Sequence, residues 1–396
     1  MTKNSLKNGP DELGYYGEGE SAMGGMAVGE TLMPALHELN LAFEDAIKDK
    51  AFLDEFAYYC KHYIGRPSPL YHAENLSNKL GGAKILFKQE HLNHTGSHKI
   101  TNSLFQVLLA KRMGKKNLIC ESGAGQHYSA CAAVAAKFGI PLIGVMGEVD
   151  IKRVNQNIIK AKHYGAKLKA VPGTLKEAIT DAIKTWITNP DYYYVCGSAV
   201  SSFPFPKIVQ FAQSIIGREI REQSMEQEGR LPDMICGCVG GGSNFIGSIH
   251  EFLDEPNIKK IGVEAAETAA LTHGTPNIMQ GMKSYMLASS DGSKSLGGSS
   301  LGAGIQYFGV GPQHSYLKDQ GAVTYTSATD KEILNAYKVV AQTEGISSAL
   351  EPMAAAAEVL KQAKGKPKDF IIVLSLCGRG EKDLDTIEEH MGKDFE

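Results

Sequence analysis

MICGCVGGGSNFIGSIHEFL, residues 234–253, decides the fold. Its first half is a short, unbroken apolar run that stops at Gly240, Gly241 and Gly242, and helical periodicity begins at Ser243. An apolar run without alternation reads as a strand buried on both faces. A helix starting at once reads as the return limb of a strand–turn–helix unit. Glycines let the backbone approach a ligand, and a helix start offers unpaired N–H groups at a positive dipole end. The stretch is either a phosphate cup or, taken alone, a plain glycine-rich turn. A nucleotide is disfavoured. Gly240, Gly242 and Gly247 leave the wrong final gap for G-x-G-x-x-G, and no G-x-x-x-x-G-K-[ST] occurs.

The same unit repeats outward. Strands are predicted at ILFKQ (85–89), NLICES (117–122), PLIGVMG (141–147), KLKAVPG (167–173), YYYVCGS (192–198), KIGVEAA (260–266) and FIIVLSLCGRG (370–380). Helices are predicted over 30–49, 51–65, 99–114, 125–139, 154–165, 174–187, 204–223, 330–345 and 351–365. Residues 1–29 and 267–315 read as irregular. Alternating strands and helices with continuous apolar strands predict an α/β protein. The expected architecture is two three-layer α/β domains with largely parallel sheets and an active site in the cleft between them, at the strands' carboxyl ends. The expected division is 1–60 as an arm with helices, 61–90 with 206–396 as the domain carrying the glycine cup, and 91–205 as the other domain.

Composition narrows the function. At 396 residues, 43% hydrophobic and 21% charged, the chain has ordinary globular values, which exclude a disordered chain or a rod. No apolar run reaches the roughly 18 residues a membrane span needs. A net charge of −3 gives no general attraction to nucleic acid. The polar N-terminus shows no secretory h-region. The seven cysteines form no CxxC pair and no Cys/His cluster at zinc spacing, so no metal ligands are assigned and a reducing, cytoplasmic setting is expected.

Three more motifs carry chemistry. HLNHTGSHKITN (91–102) sets Lys99 at a helix start among polar residues. Such a lysine is ordinarily a solvated charge, but a lysine held at a polar loop is what Schiff-base chemistry needs. ESGAGQH (121–127) follows a strand and opens a helix with small residues, a seat for a substrate carboxylate. Glu121 there is either a helix cap or a general acid–base. SLCGRGEKD (375–383) ends another buried strand in glycines. A lysine, a phosphate cup and a carboxylate seat together read as a pyridoxal 5′-phosphate enzyme.

From about Gly25 to Asp383 the chain resembles the tryptophan synthase β subunit family. The matching segments include GRPSPLY (65–71), HLNHTGSHK (91–99), ESGAGQH (121–127), GGGSN (240–244), GVGPQHSYL (309–317) and GRGEKD (378–383). The resemblance implies catalytic roles for Lys99, which holds the coenzyme and moves the α-proton, and for Glu121, which assists loss of the β-hydroxyl and deprotonates indole. It implies cofactor binding by His98, Lys99, Gly197, Ser198, Gly240, Gly241, Gly242, Ser243, Asn244, Glu351 and Cys377. Ser122, Gly123, Ala124, Gly125, Gln126 and His127 match the substrate carboxylate loop. Residues 114–201 match a mobile communication segment. It further implies a carbon–oxygen lyase joining L-serine and an indole-like nucleophile, a homodimer, an α-subunit partner, and a monovalent cation, Na+ or K+.

The chain departs from the family at several of these places. Cys377 stands where the family has serine beside the pyridine nitrogen. Gln306 replaces an aspartate that pairs with an arginine, here Arg153, on closure. Tyr128 replaces a glycine, and Pro352-Met353 replaces two serines. These departures leave a second reading open: a paralogue performing β-replacement or β-elimination with another nucleophile or amino acid.

Overall fold

The computed structural model describes residues 5–152 and 155–394. The chain divides into two compact units. The first comprises Met1–Ala27, Ser68–Leu92 and Ser198–Glu396, and the second Val28–Pro67 and Asn93–Gly197.

The first unit is built on a six-stranded sheet in the order Thr324–Ala328, Lys259–Ala265, Met234–Cys238, Ile371–Ser375, Lys84–Lys88, Leu70–His72. Neighbours run parallel except at the edge, where Leu70–His72 is antiparallel to Lys84–Lys88. Period-two alternation feeds two cores. Cys236, Cys238, Ile372 and Leu374 join one, with Leu350, Met353 and Ile333 from covering helices. Ile235, Ile371 and Val373 join the other, with Ile216, Phe245 and Ile249. Both faces are covered, which is why these strands read as unbroken apolar runs.

Two details differ from the sequence expectation. The stretches expected to be irregular supply a four-stranded antiparallel sheet, ordered Tyr15–Tyr16, Met23–Gly24, Met282–Met286, Thr275–Met279. Its hairpin turns on Gln280 and Gly281, both at positive φ, 46° and 77°. That is the demand of a two-residue hairpin loop, met here without the usual Asn-Gly signal. The single helix expected over 204–223 is two, Phe205–Gln213 and Ile215–Glu228. At the joint the Ser214 hydroxyl donates to the Gln210 carbonyl at 2.7 Å, a back-bond that bends helices.

The second unit has a four-stranded parallel sheet in the order Lys167–Val171, Leu142–Gly147, Asn117–Glu121, Tyr192–Tyr194. Its helices include Lys99–Arg112, Gln126–Phe138 and Leu175–Thr188. Among the described residues no helix is long and apolar enough to cross a membrane. The fully buried Tyr128 ring lies flat against Gly144, where any Cβ would overlap it.

Gly144→Ala should therefore destabilise the protein by about 1–3 kcal/mol, the usual penalty of overpacking. Thermal unfolding should show the loss, and a Tyr128→Ala background should abolish most of it. Equal losses in both backgrounds would contradict the contact.

Candidate active site

Lys99 is the first residue of its helix. The chain reaches it through a tight turn in which Thr95 takes a left-handed φ of 69°. The Lys99 Nζ donates to the Gly197 carbonyl at 2.5 Å. Glu121 ends its strand, and its Oε1 accepts the Gly197 N–H at 3.1 Å. A Cβ on Gly197 would overlap the His127 ring. Three side chains picked out in the sequence thus converge on one glycine, each using a different part of it.

Glu121 is buried, and its Oε2 makes no hydrogen bond among the described residues. Burial pushes its carboxyl up. The His127 charge, the Tyr194 hydroxyl and the Gly197 N–H act against this without cancelling it. His127 Nε2 lies 2.8 Å from the Val195 carbonyl, which can only accept, so Nε2 carries the proton. Burial alone would lower His127, but Cys131 and Glu121 outweigh it and hold it up.

The loop between Glu121 and the helix is fixed at both ends. The Ser122 N–H donates to the Val145 carbonyl, and the Asn157 side chain donates to the Ala124 carbonyl at 3.0 Å. Gly125, at φ 72°, precedes the helix, which begins with Gln126 and His127. Gly123 is spacious, with Leu175 at ordinary contact distance. His98 is buried directly before Lys99. Cys120, His127 and Cys131, which show no zinc spacing along the chain, do meet in space, their ligand atoms all within 4.8 Å. Cys131 Sγ is 3.6 and 3.4 Å from the two ring nitrogens. Such near-equal distances put the sulfur over the ring face, away from the in-plane lone pair of Nδ1.

In the first unit, Gly240, Gly241 and Gly242 link the strand Met234–Cys238 to the helix Ser243–Ile249. A Cβ on Gly240 would lie 2.5 Å from the Gly304 carbonyl. One on Gly241 would overlap the Ser198 hydroxyl, and one on Gly242 the His314 ring. His314 Nε2 donates to the Gly242 carbonyl and its Nδ1 pairs with the Tyr325 hydroxyl, both at 2.8 Å. Burial drives His314 down to about 4, so it is neutral near pH 7. The Asn244 amide donates to the Cys238 carbonyl at 2.9 Å and closes the turn from below.

Glu351 Oε1 accepts from the Gly304 N–H at 2.7 Å and from Lys382 at 2.9 Å. Burial would raise Glu351, but the Lys382 charge outweighs it and holds the carboxyl down. Lys382 also donates to Asp383 at 2.7 Å. Cys377 Sγ lies 3.6 Å from Cys238 Sγ. Gln306 donates its amide to the Gly298 carbonyl at 3.1 Å. Arg153 lies outside the described residues. Lys382, His314 and Tyr194 were not singled out from the sequence. Lys382 stands within GRGEKD and His314 within GVGPQHSYL, so their segments gave a signal, whereas Tyr194 is one of three consecutive tyrosines with nothing to distinguish it.

A sequence model of the family described as pyridoxal-phosphate dependent enzyme matches residues 62–378, which defines the class. Within it, the tryptophan synthase beta chain of Allorhizobium ampelinum is 49% identical over 401 residues, covering 98% of each chain. The chain belongs to the tryptophan synthase β family of pyridoxal-phosphate-dependent enzymes.

Two outcomes follow from the Gly197 geometry. Gly197→Ala must displace His127, Lys99 or Glu121, and a misplacement near 1 Å costs about 10²-fold in turnover. Steady-state rates should fall by that order, and parent-like rates would refute the crowding. Secondly, a carboxyl raised by folding stabilises the protein below the ordinary carboxylate range and loses that contribution as pH rises through its raised value. The thermal midpoint of Glu121→Gln should therefore gain on the parent as pH rises above the ordinary carboxylate range.

Proposed function

We propose that this protein catalyses β-replacement, joining L-serine and indole to give L-tryptophan and water. The observation that carries the reading is the amine of Lys99 and the half-satisfied carboxyl of Glu121 meeting on Gly197. The 49% identity to a tryptophan synthase beta chain supports it. The residues fit the coenzyme: its aldehyde needs a primary amine, and its phosphate needs backbone amides with no side chain in the way. The glycines at 240–242 supply the latter, since none has room for a Cβ.

When bound, pyridoxal 5′-phosphate supplies an electron sink for negative charge at the amino acid's α-carbon. Lys99 Nζ would hold the coenzyme and would take the α-proton. His98, Gly240, Gly241, Gly242, Ser243 and Asn244 would hold its phosphate, and Gly197 and Ser198 would also bind the coenzyme. Glu351 and Cys377 would bind its ring. The loop at 122–127 seats the substrate carboxylate. Glu121, whose carboxyl burial pushes up, would give a proton to the departing β-hydroxyl, which leaves as water. Its carboxylate then takes the N–H proton of the attacking indole.

The resemblance also supports an α-subunit partner, a homodimer, a Na+ or K+ site and closure by 114–201, and the seven free cysteines support a cytoplasmic location. A second reading, β-replacement or β-elimination with a different nucleophile, rests on Cys377 and on Gln306, whose amide is engaged with Gly298. A thiol is a weaker hydrogen-bond partner than a hydroxyl.

Purified protein incubated with L-serine and indole should form tryptophan. Pyruvate from serine with no tryptophan when indole is added would favour the second reading. Lys99→Ala should abolish the coenzyme's visible absorbance and turnover together. Borohydride reduction followed by peptide mapping should label Lys99, and label on another lysine would remove it from its role.

A further inference from the structure

Gln106 sits in the middle of the helix Lys99–Arg112, in a run buried from Ile100 to Ala110. An amide in such a place costs free energy unless all its groups are bonded, and a leucine would be cheaper. Gln106 is fully bonded. Its Nε2 donates to the Cys196 carbonyl and to Asn102 Oδ1, both at 2.8 Å. Its Oε1 accepts the Cys196 N–H at 3.0 Å. Asn102, one turn earlier and equally buried, donates to the same Cys196 carbonyl at 2.9 Å.

The Cys196 carbonyl and the Gly197 N–H belong to one peptide group. That group is planar and trans, so its C=O and N–H point in opposite directions. Two amide donors gripping the carbonyl therefore aim the N–H away from the helix, and it meets Glu121 Oε1 at 3.1 Å. The next carbonyl along the chain, that of Gly197, receives Lys99 Nζ. The strand Tyr192–Tyr194 has already ended here, and Val195 makes its last sheet-like bond, to the Ile119 carbonyl at 2.8 Å. Gln106 takes the place of a neighbouring strand, satisfying both backbone groups of Cys196 as a ladder partner would.

We propose that Gln106, with Asn102, is a positioning residue of the reaction: it sets the plane of the Cys196–Gly197 peptide and through it the placement of Glu121 and Lys99. It touches neither substrate nor coenzyme in this role. A carbonyl that accepts two hydrogen bonds also polarises its own peptide, which strengthens the N–H bond to Glu121. The proposal deepens the functional reading above and rests on it for the identity of the reacting groups.

The test compares two variants with the parent holoenzyme. Gln106→Leu keeps the volume and removes the clamp. It should retain bound coenzyme, shown by the visible band, and a serine KM within about threefold, while kcat falls by about 10- to 10²-fold, as expected of a misplaced catalytic group. Gln106→Glu supplies the discriminating readout. Ionised, the introduced carboxylate can accept from the Cys196 N–H but cannot donate to its carbonyl. Protonated, it does both. The kcat ratio of this variant to the parent should therefore rise as pH falls, a behaviour that a merely packing role does not produce. A kcat of Gln106→Leu within threefold of the parent, or a Gln106→Glu ratio flat with pH, would overturn the clamp. Should Gln106→Leu fail to fold, the Gln106→Glu profile decides alone. If the parent itself forms no tryptophan, the functional reading fails, and the clamp is still judged from the same ratios for whatever product serine yields.

Discussion

The peptide that joins Cys196 to Gly197 is a flat plate whose two polar ends are both spoken for. One face of the problem is steric: Gly197 must be glycine because the His127 ring occupies the volume of its Cβ. The other is directional. Its N–H holds Glu121, and the next carbonyl along the chain, that of Gly197, holds Lys99, so an error in this plate moves both groups at once. The plate lies where a parallel strand has run out of neighbours, which is where α/β sheets expose backbone to ligands. Backbone groups at such a point need new partners or they remain unsatisfied. The second unit solves this with side chains of the helix that begins at Lys99, so Lys99 and the support of its neighbour share one rigid element.

In the first unit the controlling constraint is crowding. Gly240, Gly241 and Gly242 are pressed by Gly304, Ser198 and His314, so this turn is a close-packed surface with no room for a side chain. His314 is effective because burial keeps it neutral, with one nitrogen for Gly242 and the other for Tyr325. Nearby, Lys382 bonds to both Glu351 and Asp383 in a buried set. Removing one partner from such a set leaves a buried charge uncompensated, at a cost of about 3–5 kcal/mol. Glu351 therefore holds its charge and stays tied to the Gly304 N–H.

Three residues read in the sequence as departures from the family, Tyr128, Cys377 and Gln306, have physical partners. Tyr128 fits because Gly144 leaves a flat bed for its ring. Cys377 lies against Cys238, directly before the glycine turn, so the thiol faces another thiol at the end of a neighbouring strand. Gln306 is tied to Gly298 by its own amide. Each of these three is accommodated locally, while Lys99, Glu121 and the glycine turn are intact.

The alternation of strand and helix, the parallel sheets and the glycine turn were legible because each depends on neighbours close in sequence: period-two burial, helical periodicity, and glycine where a side chain cannot fit. Lys99 and Glu121 were legible for the same reason, each ending or starting an element in a distinctive motif. The antiparallel sheet was not, because two of its strands are only two residues long and its hairpin turns on Gln280 rather than Asn. Nor was Gln106, since a glutamine in an apolar helix looks like a misplaced polar residue until its partner, 90 positions away, is brought beside it. Only the tertiary structure could make Gly197 the meeting point of Lys99, Glu121 and His127, because hydrogen bonds across 76 and 98 residues leave no periodicity in the chain.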